Sequence, residues 1–341
     1  MRKIFSLFTM AVIFTVFSFQ ISAQPAVNFS VKAEIPDNQI DKSKTYFDLK
    51  MEPGAEQTIK VRITNTGDKE ITATCMLNPA TTGQNGLILY DVPSSGISRN
   101  RKSITEITHV ETPRLRIEAG GSAVAEIKIN MPKENLEGIL LGGLVFKAEH
   151  EKSDKKEVNN DTEILFQNEI EYIIALKITQ DNKEVAPNFT LLGVEAGQEN
   201  HRTAVLATIE NTRPAIVKGM NIEGEIYKKD SSEIFKKISL SDAEAAPNSS
   251  FPLVFDWENT RIEEGDYLLK LNVTHAGEEW NFNREFTIDN RQAHTSNQGA
   301  VNLPVRSINV WLFSAITVAV VALIVVLWVA FARSKRRYDD I

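Results

Sequence analysis

The sequence predicts an all-β protein: two immunoglobulin-like β-sandwich domains followed by a single transmembrane α-helix. Three observations predict it. Apolar and polar residues alternate in many short runs between Ala26 and Asn290. Those runs end in turn residues such as Pro53-Gly54, Thr66-Gly67, Gly120-Gly121, Pro247-Asn248 and Glu264-Gly265. A charge-free apolar stretch, Val310 to Ala332, then follows.

The period of two is the strand signal, because successive side chains of a strand point to opposite faces. It is read at Ile59, Val61, Ile63, at Ile170, Tyr172, Ile174, Leu176, Ile178, and at Val205, Ala207, Ile209. It returns at Ile222, Gly224, Ile226 and at Tyr267, Leu269, Leu271, Val273. Short strands at regular spacing predict sandwiches rather than helices. One short helical piece is expected in the Ile97–Ile107 connection. Two segments, "RITNTGDKEI" and "ATIENTRPAI", repeat a strand, an Asn-Thr corner and a second strand, which suggests related units. Asparagine suits such corners because it tolerates left-handed backbone angles.

A chain of 341 residues has room for two domains. We place them at 26–180 and 184–290, divided on the Gln180-Asp181-Asn182-Lys183 turn. The charged segment Glu149 to Asp161 reads as a loop or hairpin tip. Residues 291–309 lack apolar periodicity and read as a flexible stem.

Both ends point to a membrane. Arg2 and Lys3, an apolar run to Phe19 and a small-residue exit at Ala23 make 1–23 a secretory signal peptide, cleaved before Gln24. A hydrocarbon core of ~30 Å takes roughly 20 helical residues, so 310–332 is long enough to cross it. Arg333, Lys335, Arg336 and Arg337 follow, which puts the 333–341 tail in the cytoplasm and the rest outside. Trp311 and Trp328 stand near the ends of the span, at the depth where aromatic rings settle.

The net charge is −7, but 24–305 alone carries 31 basic against 43 acidic residues. An acidic exterior excludes nucleic acid and anionic lipid as natural ligands. One cysteine, Cys75, leaves no internal disulfide, so stability must come from packing, with Cys75 a small core residue.

No catalytic constellation is found. The histidines at 109, 150, 201, 275 and 294 lack metal-ligand spacing. Ser153-Asp154-Lys155-Lys156 fits a Ser-x-x-Lys pattern, but in a charged loop and without its partner motif. Glu263-Glu264 and Glu278-Glu279 are neighbours in sequence, which points them to opposite faces of a strand. No catalytic, metal or cofactor site is therefore assigned. Three elements can serve binding or plain structure. They are the polar loop "NPATTGQNGLILY" (Asn78 to Tyr90), the glycine-interrupted run "GILLGGLVF" (Gly138 to Phe146), and the two tryptophans Trp257 and Trp280.

Segments spread along the chain carry a resemblance. "NFSVKAEIPDNQIDKSKTYFDLKMEPGAEQTIKVRITNTGDKEI", "NPATTGQNGLILY" and "MPKENLEGILLGGLVF" resemble the N-terminal domain of the WxL-interacting proteins of Gram-positive bacteria. "NEIEYIIALKI", "ENTRPAIVKGMNIEGEIYKK" and "APNSSFPLVFDWENTRIEEGDYLLKLNVTHAGEEWNFNREFTI" resemble that family's second domain. The resemblance implies a non-enzymatic cell-surface scaffold. Its first domain would bind peptidoglycan, and its second would bind WxL-domain surface proteins or host extracellular-matrix proteins. It implies that Gln39, Tyr46, Asn78, Thr81, Asn85, Gly86 and Tyr90 belong to the first domain's functional surface, or else maintain its turns and core. A host-directed adhesin without wall binding, or a wall-active enzyme, are the alternatives from other classes.

Overall fold

A computed structural model describes residues 28–93, 102–150, 170–181, 183–301, 303 and 317–328. The expected signal segment 1–23, the tail 333–341 and the loop residues 151–161 lie outside them.

The first unit contains β1 (Phe29–Glu34), β2 (Phe47–Lys50), β3 (Glu56–Asn65), β4 (Ile71–Pro79), β5 (Thr81–Thr82) and β6 (Ile88–Leu89). It continues with α1 (Ile104–Ile107), β7 (Thr108–Val110), β8 (Arg114–Ile117), β9 (Ser122–Asn130), β10 (Ile139–His150) and β11 (Glu171–Thr179). One sheet has the order β1-β3-β9-β7 and the other β2-β11-β10-β4-β8, while β5 and β6 form a small hairpin. The alternation read in the sequence supplies the core between the sheets. Ile59, Val61 and Ile63 of β3 with Ile127 and Ile129 of β9 share one cluster with Leu144 and Phe146 of β10 and Leu176 and Ile178 of β11. Burying each such side chain stabilises by about 1.5–3 kcal/mol. Cys75 is among them, and burial pushes its thiol up to about 12. The expected helical piece is α1, capped by Ser103 and Glu106 in a reciprocal capping box.

The second unit contains β12 (Phe189–Glu199), β13 (Arg202–Asn211), β14 (Val217–Lys228), β15 (Ile234–Ala245), β16 (Ser250–Asp256), β17 (Gly265–His275), β18 (Glu278–Ile288) and α2 (Asn290–Gln298). Its sheets run β12-β13-β16 and β15-β14-β17-β18. Val205, Ala207, Ile209, Phe251, Leu253 and Phe255 meet Ile222, Ile226, Leu269, Leu271 and Val273 in a second core. Gly224 keeps its place in the Ile222-Gly224-Ile226 run because a Cβ there would lie 2.7 Å from Phe255 Cζ. Trp257 is buried in this core, and Trp280 packs edge-on against Phe189. The chain is thus all-β as expected, as two paired-sheet units. Sheet order alone does not make them immunoglobulin-like.

The repeated corner is a shared piece of chemistry. Asn65 ends β3 fully buried, donating its amide to Lys69 O at 2.7 Å and to Ile117 O and Glu118 O at 3.1 Å. Its Oδ1 accepts from Gly67 N at 2.9 Å. Asn211 ends β13 the same way, donating to Ala215 O at 2.8 Å and Ala246 O at 3.1 Å and accepting from Arg213 N at 3.2 Å. Neither residue has positive φ. Asparagine therefore stands at these corners not for a left-handed backbone, as expected, but because its amide satisfies buried carbonyls.

The expected stem 291–309 is corrected over its first part. Residues 290–298 are helical, opened by an Asp289–Gln292 capping box. Ala293 and Ser296 are buried, and the Asn297 side chain both accepts from Ile262 N and donates to Ile262 O, each at 2.9 Å. Polar hydrogen bonds rather than an apolar stripe hold this helix, so hydropathy could not reveal it. The expected span 310–332 is described over 317–328, which is helical. No helix among the described residues is long and apolar enough to cross a membrane.

Candidate functional site: the outer face of the first unit and its hairpin

Strand parity decides what the five-stranded sheet shows to the outside. Leu144 and Phe146 face the core, so Gly143 and Val145 face away from it. Register aligns Val145 with Met76 of β4 and Ile173 of β11, and aligns Gly143 with Asn78 and Ala175. The outer face is therefore apolar and low-walled along its middle. Val145 is buried, while Met76 and Ile173 on either side keep 45% and 43% of their surface exposed.

Two glycines let other groups approach β10 closely, Gly143 on this outer face and Gly142 on the core side. A Cβ at Gly143 would lie 2.5 Å from Tyr90 Cβ, so Tyr90 rests on β10 where no side chain intervenes. A Cβ at Gly142 would lie 2.6 Å from Asn78 O and 2.7 Å from Ile104 Cγ2 of α1. Asn78 holds the returning chain by donating Nδ2 to Tyr90 O at 3.2 Å. Burial first, then the Glu244 carboxylate, then Tyr46 push the Tyr90 hydroxyl up to about 12. The Gly138–Phe146 run is thus both a central strand and a site of close approach.

Gln39 lies behind this face and shapes its edge. Its side chain is 5% exposed, donates to Tyr46 O at 2.8 Å and Asp41 O at 3.2 Å, and accepts from Asp48 N at 3.0 Å. That fixes Tyr46 at the start of β2 and turns Asp48 toward Lys177, 3.0 Å away on β11. Lys177 and Asp48 are missing from the sequence-based site. Their proximity arises from a parallel β2–β11 pairing across more than a hundred residues, for which no local signal exists.

The remaining candidates belong to the hairpin, which leaves the first unit and docks on the second. Ala246 N donates to Thr82 Oγ1 at 2.9 Å, Thr82 Oγ1 and Ser249 Oγ lie 2.7 Å apart, and Ser249 Oγ donates to Ala246 O at 3.0 Å. Gly86 O accepts from Glu244 N at 2.6 Å. Gly86 has φ +70°, and a Cβ there would lie 2.7 Å from Ala243 Cβ, so glycine is required twice over. Asn85 sets the turn by accepting from Leu87 N at 3.2 Å, and Thr81 pairs with Leu89. Beneath them Ala80, Leu141 and Ala246 form a small buried cluster joined by Ile88, Tyr90, Ile139 and Ile216. A second contact lies beside it: Ile139 N donates to Pro214 O at 2.8 Å, and Arg213 pairs with Glu137 at 2.6 Å.

Of the seven sequence candidates, Asn78 and Tyr90 meet at the outer face, while Tyr46 packs against the first core. Gln39 positions Tyr46, and Thr81, Asn85 and Gly86 serve the junction. Among the described residues no group of three or more His, Cys, Asp or Glu is placed to hold a metal.

No curated protein sequence matches the chain. Solved structures with likeness include the Pseudomonas aeruginosa CupB2 chaperone, at 15% identity over 70% of this chain and 96% of that one, TM-score 0.28. The Salmonella enterica SafA pilin–SafB chaperone complex matches at 10% identity over 77% and 99%, TM-score 0.31. The CsuC–CsuE chaperone–tip subunit complex of Acinetobacter baumannii matches at 11% over 75% and 97%, TM-score 0.31. Scores this low carry no inference about function. Two family models do match in order: "WxL Interacting Protein, peptidoglycan binding domain" over 29–148 and "WxL Interacting Protein, host binding domain" over 161–298. The second begins ahead of β11, a strand that the fold places inside the first unit. Together the two matches span both units and the hairpin between them, and the chain belongs to the WxL interacting protein family.

Proposed function

We propose that the protein is a non-enzymatic surface scaffold that binds peptidoglycan through the outer face of its first unit. Its second unit binds WxL-domain surface proteins or host extracellular-matrix proteins. The observation that carries the first half is the exposed pair Met76 and Ile173 flanking Val145, with Tyr90 resting beside them on Gly143. Exposed apolar side chains grouped on one face mark interaction surfaces, and aromatic rings give a sugar a flat apolar contact. A neutral glycan also suits an acidic chain, since no charge pairing is required.

In this reading the units are immunoglobulin-like, 1–23 is removed on secretion, and 310–332 anchors the chain once through the membrane with 333–341 inside. Because α2 docks on the second unit, the free tether would begin after Gln298 rather than Asn290, shortening its reach. Anchoring at the membrane and the wall together raises the effective concentration of each contact, so weak individual binding suffices.

Co-sedimentation of the purified chain with peptidoglycan sacculi tests the reading. Saturable binding without release of soluble fragments is expected. Absence of binding counts against the wall function, and released fragments count against a non-enzymatic role.

A further inference from the structure

The two units enclose a cleft of about 690 Å3 beside their junction. Its walls mix polar and apolar groups and come from both sides, the apolar ones being Ile40 and Ile139 from the first unit, Pro214 and Ile216 from the second, and Val185 from the connection between them. Volumes of roughly 300–1,000 Å3 at domain interfaces are typical of ligand sites.

The connection itself is the unusual wall. Residues 183–188 run without helix or strand between β11 and β12. The main-chain groups of Glu184, Val185 and Ala186 make no hydrogen bond among the described residues. Glu184 and Ala186 are exposed, Val185 is half-buried, and Pro187 ends the run of N–H donors. A backbone of this kind beside a partly apolar cleft offers a short template for strand addition, where main-chain bonds supply affinity and side-chain pockets supply choice.

Two polar groups bias what would bind. The Lys183 side chain pairs with no acid among the described residues, although Asp181 and Glu184 share the lining and Asp181 Oδ1 accepts from Lys183 N at 3.1 Å; the nearby Lys177 is already taken by Asp48. His275, on the opposite wall, has a buried Nδ1 without a partner. An apolar side chain seated between Ile139 and Ile216 and a carboxylate near Lys183 satisfy this arrangement.

We propose that the cleft takes an extended segment of a partner protein, adding as a strand along Glu184–Ala186 with an apolar side chain inward and a carboxylate at Lys183. This deepens the protein-binding half of the function above and rests on it.

The test is fluorescence anisotropy with the full chain in detergent and a labelled peptide, Gly-Thr-Val-Thr-Val-Glu, bearing a free carboxyl terminus. Binding is expected, weakened about tenfold by Val185→Pro, which removes one template N–H, and about threefold by Lys183→Gln. An N-methylated peptide, which leaves the protein untouched, should lose at least as much as the proline variant costs. No binding of the peptide at millimolar concentration, or equal binding of the N-methylated form, overturns the site. A chain that holds WxL-domain proteins equally well with and without Val185→Pro also removes the site, yet leaves the function above standing.

Discussion

Thr82 and Ser249, 167 residues apart and in different units, share a hydrogen bond of 2.7 Å in a buried setting. Ser249 Oγ donates to Ala246 O, so the Thr82 hydroxyl is the donor to Ser249 while it accepts from Ala246 N. The circuit satisfies every buried polar group it touches, as burial demands. It also joins Tyr90, on the outer face of the first unit, to the second unit through one short hairpin.

Thr82→Val keeps the shape and removes the circuit, leaving Ala246 N and the Ser249 hydroxyl short of a partner. A loss of about 1–3 kcal/mol is expected by urea denaturation. Small-angle scattering should also show a wider spread of inter-unit distances. An unchanged midpoint and profile would mean that the junction is held elsewhere.

Asn65→Ala and Asn211→Ala should each destabilise by about 1–3 kcal/mol, because each removes a side-chain amide that donates to several carbonyls of its corner, Lys69 O in the first and Ala215 O in the second among them. Gly67→Ala, next to the first corner, is a milder change. A Cβ there would sit 3.3 Å from Asn65 Oδ1, tight but adjustable. Equal unfolding curves for Asn65→Ala and Gly67→Ala would contradict the amide's role.

The fold also predicts where the chain can be cut. A fragment 24–160, ending between the two family matches, lacks β11, which lies between β10 and β2 and contributes Ile174, Leu176 and Ile178 to the first core. It should show no cooperative thermal transition, whereas 24–183 should. Cooperative melting of the shorter fragment would show that β11 is dispensable.

Cys75 and Tyr90 set an alkaline limit. Both are acids whose folded pKa rises to about 12, from 9.0 and 10.0 respectively. The folded state thus holds these protons more tightly than the unfolded one. Their contribution is complete below the unfolded values and is lost as pH climbs from about 9 toward 12. At about 1.4 kcal/mol per unit, the thiol alone accounts for stability on the order of 4 kcal/mol across that window. Cys75→Ala should flatten the loss of stability between pH 9 and 11 in denaturant titrations. An equally steep loss would assign it to other groups.

How much of this was legible in the sequence follows from the range of each interaction. The parity of Ile174, Leu176, Ile178 and of Ile222, Gly224, Ile226 announced the strands, because alternation is local. The hairpin from Asn78 to Tyr90 stood out as polar and turn-rich. Its destination did not, since Thr82, Ala246 and Ser249 are small residues whose meeting depends on how two finished units dock. Lys177 escaped for a similar reason: only a parallel pairing brings it to Asp48. Helix α2 escaped because its sequence, Asn-Arg-Gln-Ala-His-Thr-Ser-Asn-Gln, buries an alanine and a serine rather than an apolar stripe.

The most direct test concerns the outer face itself. Met76→Glu with Ile173→Glu places charge on two exposed positions and leaves both cores and the junction untouched. Affinity for peptidoglycan sacculi, measured by co-sedimentation of the full chain in detergent, should fall at least about tenfold, with an unfolding midpoint equal to the parent's. Undiminished affinity in a folded double variant would contradict the assignment of this face to the wall.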